Sequence, residues 1–514
     1  MSMMEQGPEQ SFDVLIVGGG VNGAGIAADA AGRGLSVLLC EKDDLASATS
    51  SSSSKLIHGG IRYLEHYEFR LVAKALAERE VLLRAAPHII WPLRFCLPHL
   101  PSLRPAWMIR IGLFLYDHLA RRTSLPGSRS VRFGPDSPLK PNIQKGFEYS
   151  DCWVDDARLV VLNAMAARDH GALIMPRTRC LSAQHDGAGW RVLLQDEESG
   201  KQHRVKARLL VNAAGPWVQS FIEDKLHSPS PRHVRLVKGS HIVVPRLYDG
   251  PDCYILQNDD GRIVFAIPYE GDFTLIGTTD KEISGDPGKL EIDQDEQAYL
   301  LSIINHYFKR QINDRDICWS YAGVRPLLDD ESSDASAVTR DYLLTLTDAA
   351  AKDYQDGTED AEGGGAPLLS VFGGKITTYR LLAKEAVDKM QAVFPDLGPS
   401  GTKDQILPGG DFENPAALYA RLKDQAPWLP DDVAHRYVRS YGTAAFAVID
   451  GCASREAMGE DFGAGLYEAE VQYLRRHEWA LRAEDILWRR SKRGLFMTAD
   501  EQAHLGEWLE SRND

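Results

Sequence analysis

Residues 12–41 constrain the fold more than any other stretch of the chain. FDVLIV, residues 12–17, is a short apolar run that passes straight into Gly18-Gly19-Gly20-Val21-Asn22-Gly23 and then into the alanine-rich GIAADAAGRG. A second apolar run, residues 35–40, ends at Glu41, an acid 23 residues after Gly18. Strand, glycine turn, helix, strand and terminal acid, in that order, make a dinucleotide-binding βαβ unit. Gly18 permits the tight turn, Gly20 lets the backbone approach a pyrophosphate, and Gly23 allows the helix to pack closely. The helix start offers N–H groups and a positive dipole end to the diphosphate. Glu41 is placed to accept hydrogen bonds from the adenosine ribose, which favours an unphosphorylated one. A bare GxGxxG is weak evidence, but the whole context is specific.

At 514 residues the chain is long enough for roughly three domains of about 150 residues each. With 44% hydrophobic and 25% charged residues it is neither disordered nor a coiled coil as a whole. Its 58 basic and 73 acidic side chains give a net charge of −15, a field that repels nucleic acid and phosphate. An anionic ligand therefore needs a local cluster of basic groups, and no nucleic-acid partner is expected. The seven cysteines are dispersed without a CxxC pair, which fits a reducing compartment. The 15 histidines form no HExxH or close cluster, so no metal site is expected. No signal segment and no run of 18 uncharged apolar residues is present, so a membrane-crossing helix is not expected.

The glycine motif does not separate NAD from FAD, but the next stretch does. Ser47-Ala48-Thr49-Ser50-Ser51-Ser52-Ser53-Ser54-Lys55 brings small hydroxyls close behind the second strand, and His58-Gly59-Gly60 follows. Short side chains and glycines there suit a flat ring and a ribityl chain lying against backbone. Further on, residues 64–87 and 155–170 have helical periodicity, and residues 190–194 and 205–211 read as strands. Residues 233–280 alternate apolar and polar as an antiparallel sheet does. The layout divides as follows: 10–90, first part of the nucleotide domain; 91–145, a basic amphipathic membrane-facing segment; 146–232, its second part; 233–347, a substrate domain; 348–366, an acidic loop; 367–395, its third part; and 396–514, a helical C-terminal domain. Within residues 94–132 seven arginines face one acid, Asp117. Trp107, Ile111, Leu115 and Leu119 recur there every four residues, with Met108 and Leu113 alongside. That pattern suits a helix lying in a membrane interface with arginines at anionic headgroups.

Positive residues in glycine-flanked motifs form a further group: Arg62 in GGIRY, Arg325 in AGVRP, Arg340 in VTRDY and Lys375 in GGK. A dianionic phosphate calls for several charge-assisted donors, and arginine forks match its oxygens.

The segments TSSSSSKLIHGGIRYLEHYEFRLVAKALAEREVL, FEYSDCWVDDARLV, NAAGPW, KGSHIVVP, IGTTD, YAGVRPLLDDES and VFGGKITTYR occur in one order between residues 49 and 380, within a likeness that runs from about residue 10 to 500. Together they resemble the aerobic, FAD-dependent glycerol-3-phosphate dehydrogenase family. The resemblance implies a discontinuous Rossmann-like FAD-binding domain of the glycine/D-amino-acid oxidase type, α/β in architecture. It also implies an α+β part with an antiparallel-sheet substrate domain, and an all-α C-terminal domain. FAD would be held by Gly18, Gly20 and Gly23 at the pyrophosphate and by Glu41 at the ribose. Thr49, Ser50, Ser54 and His58 would lie on the flavin side, and Ala213, Ala214 and Gly215 near the diphosphate and adenosine. Gly374, Lys375, Ile376 and Thr377 would contact the isoalloxazine end. Arg62, Tyr63, Arg325, Arg340 and Lys375 would bind the substrate.

The implied reaction is oxidation of sn-glycerol 3-phosphate to dihydroxyacetone phosphate, with hydride passing from C2 to flavin N5. Arg325 and Lys375 would favour charge on the developing ketone oxygen. His241 in KGSH is the first candidate for the base, because imidazole titrates near neutral pH, and His58 is its rival. The resemblance further implies a homodimer on the inner face of the cell membrane, reached from the cytoplasm, with ubiquinone or a similar quinone as acceptor and an anionic lipid surface as partner. A soluble oxidase of the same fold would not need the basic amphipathic stretch, an amino-acid oxidase would need an amine site, and a non-catalytic flavin binder would not need YAGVRPLL and VFGGKITTYR intact.

Overall fold

Val14, Leu15 and Ile16 are fully buried, and their strand, Gln10–Val17, is flanked on both sides by parallel neighbours. A strand enclosed on both faces and both edges reads as a continuous apolar run, which is why FDVLIV shows no alternation. The computed structural model describes residues 9–101, 104–187, 189–288, 290–328, 341–347 and 365–512. Arg340 and residues 348–364 of the acidic loop lie outside the described residues.

The first sheet runs in the order Tyr342–Thr347, Leu368–Gly373, Gln202–Asn212, Gln10–Val17, Val37–Cys40, Leu173–Met175, and the hairpin Thr178–His185 with Trp190–Asp196 joins at Gln202–Asn212. The helices Val21–Gly32, Asp156–Asp169 and Tyr379–Lys389 share one core with it through Ala24, Ala27, Val160, Ala164, Leu382 and Ala386. Gly25 makes this possible, since a Cβ there would lie 2.9 Å from the Tyr379 ring.

The second sheet is mainly antiparallel. Its order is Lys281–Ile283, Val234–Pro245, Phe273–Gly277, Ile263–Tyr269, Cys253–Gln257, Ile90–His99, Lys145–Val154 and Leu56–Ile57. Trp319–Leu328 also pairs with Val234–Pro245, and Arg129–Arg132 with Lys145–Val154. Sheet membership therefore cuts across the linear divisions read from sequence. Ile90–His99 and Lys145–Val154 belong to the second sheet, whereas Tyr342–Thr347 closes an edge of the first.

The basic segment is part strand and part helix. In the helix Ala106–His118, Trp107, Met108, Ile111, Phe114 and Leu115 face outward, while Leu113 and Tyr116 are buried. Leu113 and Leu119, expected on the outer face, instead pack on the core with Phe95 and Tyr149. Phe114 takes the outward place. The local charge is also lower than a linear count gives, because Arg94 and Arg129 pair with Glu148, Arg104 with Glu65 and Arg122 with Asp117. Among the described residues no helix is long and apolar enough to cross a membrane.

The C-terminal domain has its own core around Leu418, Tyr437, Val471 and Leu505. Its helices begin on local signals: Asn414 accepts from Ala417 N ahead of Pro415, and Thr498 with Glu501 makes a reciprocal capping box. It docks on the body through buried ion pairs, including Arg158, both of whose Nη atoms donate to Glu478 at 2.8 Å. Removing one member of such a pair typically costs about 3–5 kcal/mol, because the other charge stays buried.

Candidate active site

Two joined cavities lie where the sheets meet. The first is a cleft of about 430 Å³ lined by Gly18, Gly20, Glu41, Trp217, Gly374 and Lys375, with Ser47, Ala48, Thr49 and Ser50 along its side. Ala213, Ala214, Gly215 and Ile376 line it as well. The floor is made of backbone. Gly18 has φ +114°, and a Cβ there would sit 2.4 Å from Ala213 O. A Cβ on Gly23 would lie 1.9 Å from Gly18 O, so only glycine lets the helix start press against the turn. Gly20 occupies the N-cap without a side-chain cap, and Val21 N donates to Ser50 Oγ at 3.0 Å. The glycine turn, open helix start and row of small side chains fit the diphosphate and ribityl parts of FAD.

Glu41 accepts from Gly19 N at 2.7 Å and from Asp43 N at 2.9 Å, so its carboxylate also ties the turn to the loop beyond it. Burial pushes its pKa up, against these two bonds. At the far end Gly373 and Gly374 take φ +76° and +107°, and Asn22 Nδ2 donates to Gly373 O at 3.2 Å. The last strand of the first sheet is thereby held to the start of the first helix.

The second cavity, about 240 Å³, shares Thr49, Ser53, Pro326, Gly374, Lys375 and Ile376 with the cleft. Arg62, Tyr63, Arg325, Lys375, His58, Ser54, His241 and Thr377 all line it. Gly60, at φ +73°, leaves room for the Tyr63 ring, which a Cβ would approach to 2.2 Å, and Lys375 Nζ rests 3.8 Å above that ring's centre. The chamber holds acids beside the cations that the sequence picked out. Asp280 and Asp341 also line it, and Arg325 is ion-paired with Asp280 while donating to Thr278 Oγ1 at 3.0 Å. Thr278 and Asp280 come from the motif IGTTD, which gave no role to either residue. Ile255, Ile263 and Phe265 form an apolar wall.

His241 sits between these groups because of strand register. It lies directly opposite Gly277 on one neighbouring strand and Tyr321 on the other. A Cβ at position 277 would fall 2.1 Å from the imidazole, and the Tyr321 ring stacks on it with centroids 4.7 Å apart. Nε2 lies 2.9 Å from Ser54 Oγ. Burial, reinforced by the charges of Arg325 and Lys55, holds its pKa well below the ordinary 6.5, so the ring is neutral at neutral pH. Ser54, expected beside the flavin, thus also contacts His241. His58 borders the same chamber, its backbone N–H donating to Thr377 Oγ1 at 3.2 Å. The serine loop is braced from below: Lys55 Nζ donates to Asp156 Oδ1 at 2.7 Å and to Ser51 O at 3.0 Å, and Ser53 Oγ donates to Asp156 Oδ2 at 2.7 Å.

A backbone cradle for a dinucleotide that opens into a chamber of cations and a neutral imidazole is the plan of a cofactor-dependent oxidoreductase. The chain belongs to the FAD-dependent oxidoreductase family, which it matches over residues 13–380, and its residues 400–509 match the C-terminal domain of alpha-glycerophosphate oxidase. Its fold is of the glycine/D-amino-acid oxidase type with an added helical domain, and FAD is its cofactor. It is 57% identical over 503 residues to glycerol-3-phosphate dehydrogenase of Pseudomonas aeruginosa, covering 98% of this chain and 96% of that one. It is 50% identical over 509 residues to D-erythritol 1-phosphate dehydrogenase of Brucella abortus, covering 98% and 99%. Among solved structures, glycerol-3-phosphate dehydrogenase from Bacillus halodurans complexed with FAD superposes with a TM-score of 0.73 at 26% identity, covering 99% of this chain and 95% of that one.

Proposed function

We propose that this protein oxidises sn-glycerol 3-phosphate at C2 to dihydroxyacetone phosphate and passes the electrons to a membrane quinone. The observation that carries the reading is the convergence of Arg62, Arg325 and Lys375 on a small chamber that opens into the cofactor cleft. In a chain of net charge −15, such a cluster serves a localised anion. The relatives named above act on polyol phosphates by their names, which supports the same class.

When bound, FAD supplies the hydride acceptor, and the chain supplies placement, charge and proton transfer. Gly18, Gly20, Gly23, Glu41, Ala213, Ala214 and Gly215 hold the dinucleotide, and Thr49, Ser50, Gly374, Ile376 and Thr377 hold its reactive end. Arg62 and Tyr63 bind the phosphate end of the substrate. Arg325 and Lys375 draw negative charge onto the C2 oxygen, and each charge-assisted hydrogen bond is worth about 1.5–3 kcal/mol. Ser54 relays the C2 hydroxyl proton to Nε2 of His241, which is neutral and ready to accept it. The arriving phosphate dianion offsets the positive charge of the chamber, Arg325 included, and raises the basicity of the imidazole at the moment it is needed.

The outward face of Ala106–His118, with Trp107 63% and Phe114 55% exposed, is the membrane contact in this reading. Co-sedimentation with vesicles containing anionic lipid checks it. Serine at Trp107, Ile111 and Phe114 together lowers binding by about 10-fold or more, given the apolar area lost. Unchanged binding refutes the assignment.

Turnover with a soluble dye acceptor tests the substrate. The expected order of kcat/KM is sn-glycerol 3-phosphate above D-erythritol 1-phosphate, with glycerol lowest. A higher value for the four-carbon ester reassigns the substrate, and equal values with and without phosphate overturn the role of the cations.

A further inference from the structure

The imidazole of His241 lacks the usual means of orientation. A catalytic histidine is normally fixed by a carboxylate or carbonyl at its second nitrogen. Here Nδ1 is buried with no hydrogen-bond partner among the described residues. What fixes the ring is packing: the Gly277 backbone on one side and the Tyr321 ring on the other.

Tyr321 belongs to a longer column. Trp319 and Tyr321 are two apart on one strand, so they project on the same face. Their rings are 4.9 Å apart, and Trp488 of the C-terminal domain stacks on Trp319 with centroids at 4.7 Å and planes 19° apart. Trp488, Trp319, Tyr321 and His241 therefore form a continuous column of ring contacts from the helical domain to the chamber, stacked at both ends and tilted by 42° between Trp319 and Tyr321. The hydroxyl of Tyr321 donates to Ser53 O at 2.8 Å, which ties the column to the serine loop.

The outer end of the column is fixed as firmly as the inner. Trp488 lies in the short segment Asp485–Arg490, wound as a π-helix with Ser491 N donating to Ile486 O at 2.9 Å, a winding common near functional sites. Arg490 grips Asp44 with two hydrogen bonds, at 2.8 and 2.9 Å, and Arg489 Nε adds a third at 2.6 Å. Asp485 accepts from Leu481 N, Arg482 N and Arg177 Nη2. Asp44, Asp485 and Arg490 are all buried. Gly494 lies against the Trp488 indole, where a Cβ would come within 2.6 Å.

We propose that Trp488 is a positioning residue for the reaction: through Trp319 and Tyr321 it holds the imidazole of His241 in the orientation that accepts the substrate proton. This rests on the reading of His241 as the base. The helical domain then has a part in catalysis although none of its side chains lines the chamber. It also shares its anchor, Asp44, with the loop that follows Glu41, so the cofactor turn and the base are braced from one place.

The test uses the full-length holoenzyme in three variants, W488A, W488F and H241N, each measured for bound FAD, thermal midpoint, kcat, KM and the pH dependence of kcat. W488A is expected to lower kcat by about 10- to 100-fold, the scale of a small misplacement of a reacting group, with KM and FAD content nearly unchanged. W488F keeps a ring in the column and restores most of the rate. The charged groups facing His241 are Arg325, on the strand beside it, and Lys55, in the serine loop with Asp156 behind it. A loosened ring takes up water, so in W488A the acid limb of kcat moves up toward the ordinary histidine value. A purely structural loss would lower the thermal midpoint without moving that limb. If H241N collapses activity while both Trp488 variants keep kcat and the limb, the column proposal falls and the base survives. If H241N keeps kcat, the base reading fails and the proposal falls with it. Should W488A not yield holoenzyme, W488F against W319L on the same readouts decides, with W319L expected to lose rate and shift the limb.

Discussion

The two joined cavities are built by different means. The cofactor cleft is a backbone structure: Gly18, Gly23, Gly373 and Gly374 shape it by lacking side chains, and a helix start supplies its donors. The reactant chamber is a side-chain structure, assembled from Arg62 of the short 3-10 helix Ile61–His66, Arg325 and His241 of two sheet strands and Lys375 after a third. The glycine turn by itself sets the floor of the cleft, whereas the chamber exists only when distant strands pair in the right register. Damage to the first should be all or none, whereas damage to the second should be graded.

The largest effect follows from the closest contact. Gly23→Val puts a Cβ where Gly18 O already lies within 1.9 Å, so the helix and the turn must separate. Purified G23V is expected to carry no FAD by absorbance, and a variant that binds FAD normally breaks the contrast between the cavities. Next, Arg325→Met should keep FAD but lower kcat/KM for glycerol 3-phosphate by about 10- to 100-fold, the loss of a charge-assisted hydrogen bond. Asp280 is then left without its ion pair, so the paired variant with Asp280→Asn should recover part of the loss. Loss of FAD from R325M would show that the chamber and the cleft are one unit.

A smaller effect concerns pH. His241 must be neutral to accept a proton, and its pKa is lowered well below 6.5, first by burial and then by Arg325 and Lys55. The neutral fraction is lost only as pH falls through that lowered value. The acid limb of kcat/KM should therefore lie below pH 6.5, and in R325M, with one opposing charge gone, it should move upward. A limb at or above 6.5 in the unaltered protein, or one that shifts only with His58→Asn, would pass the role to His58.

The same contrast explains what could be read before the structure. The floor of the cleft was legible because its determinants are contiguous: GGGVNG, the second strand and Glu41 fall within 30 residues. The discontinuous nucleotide domain and the helical C-terminal domain were legible from the order of motifs. Register was not. Nothing in KGSH or YAGVRP says that His241 faces Tyr321 across one edge and Gly277 across the other. Asp280 escaped notice because acids were not sought in a basic cluster, although a half-buried arginine usually has a carboxylate nearby. In the helix Ala106–His118 the four-residue spacing found the outward face at Trp107, Ile111 and Leu115 but not its limits: the 3.6-residue repeat carries Leu119 inward, and Leu113, two residues from Ile111, lies on the opposite side. Trp488 carried no signal at all, since its neighbour in the stack is 169 residues away in sequence, at Trp319.

The most direct measurement is an anaerobic absorbance spectrum of the purified holoenzyme before and after sn-glycerol 3-phosphate. The account requires the oxidised flavin band near about 450 nm to bleach with the phosphate ester and to persist with glycerol at the same concentration. A flavin that remains oxidised with the ester, or that bleaches equally with glycerol, contradicts it.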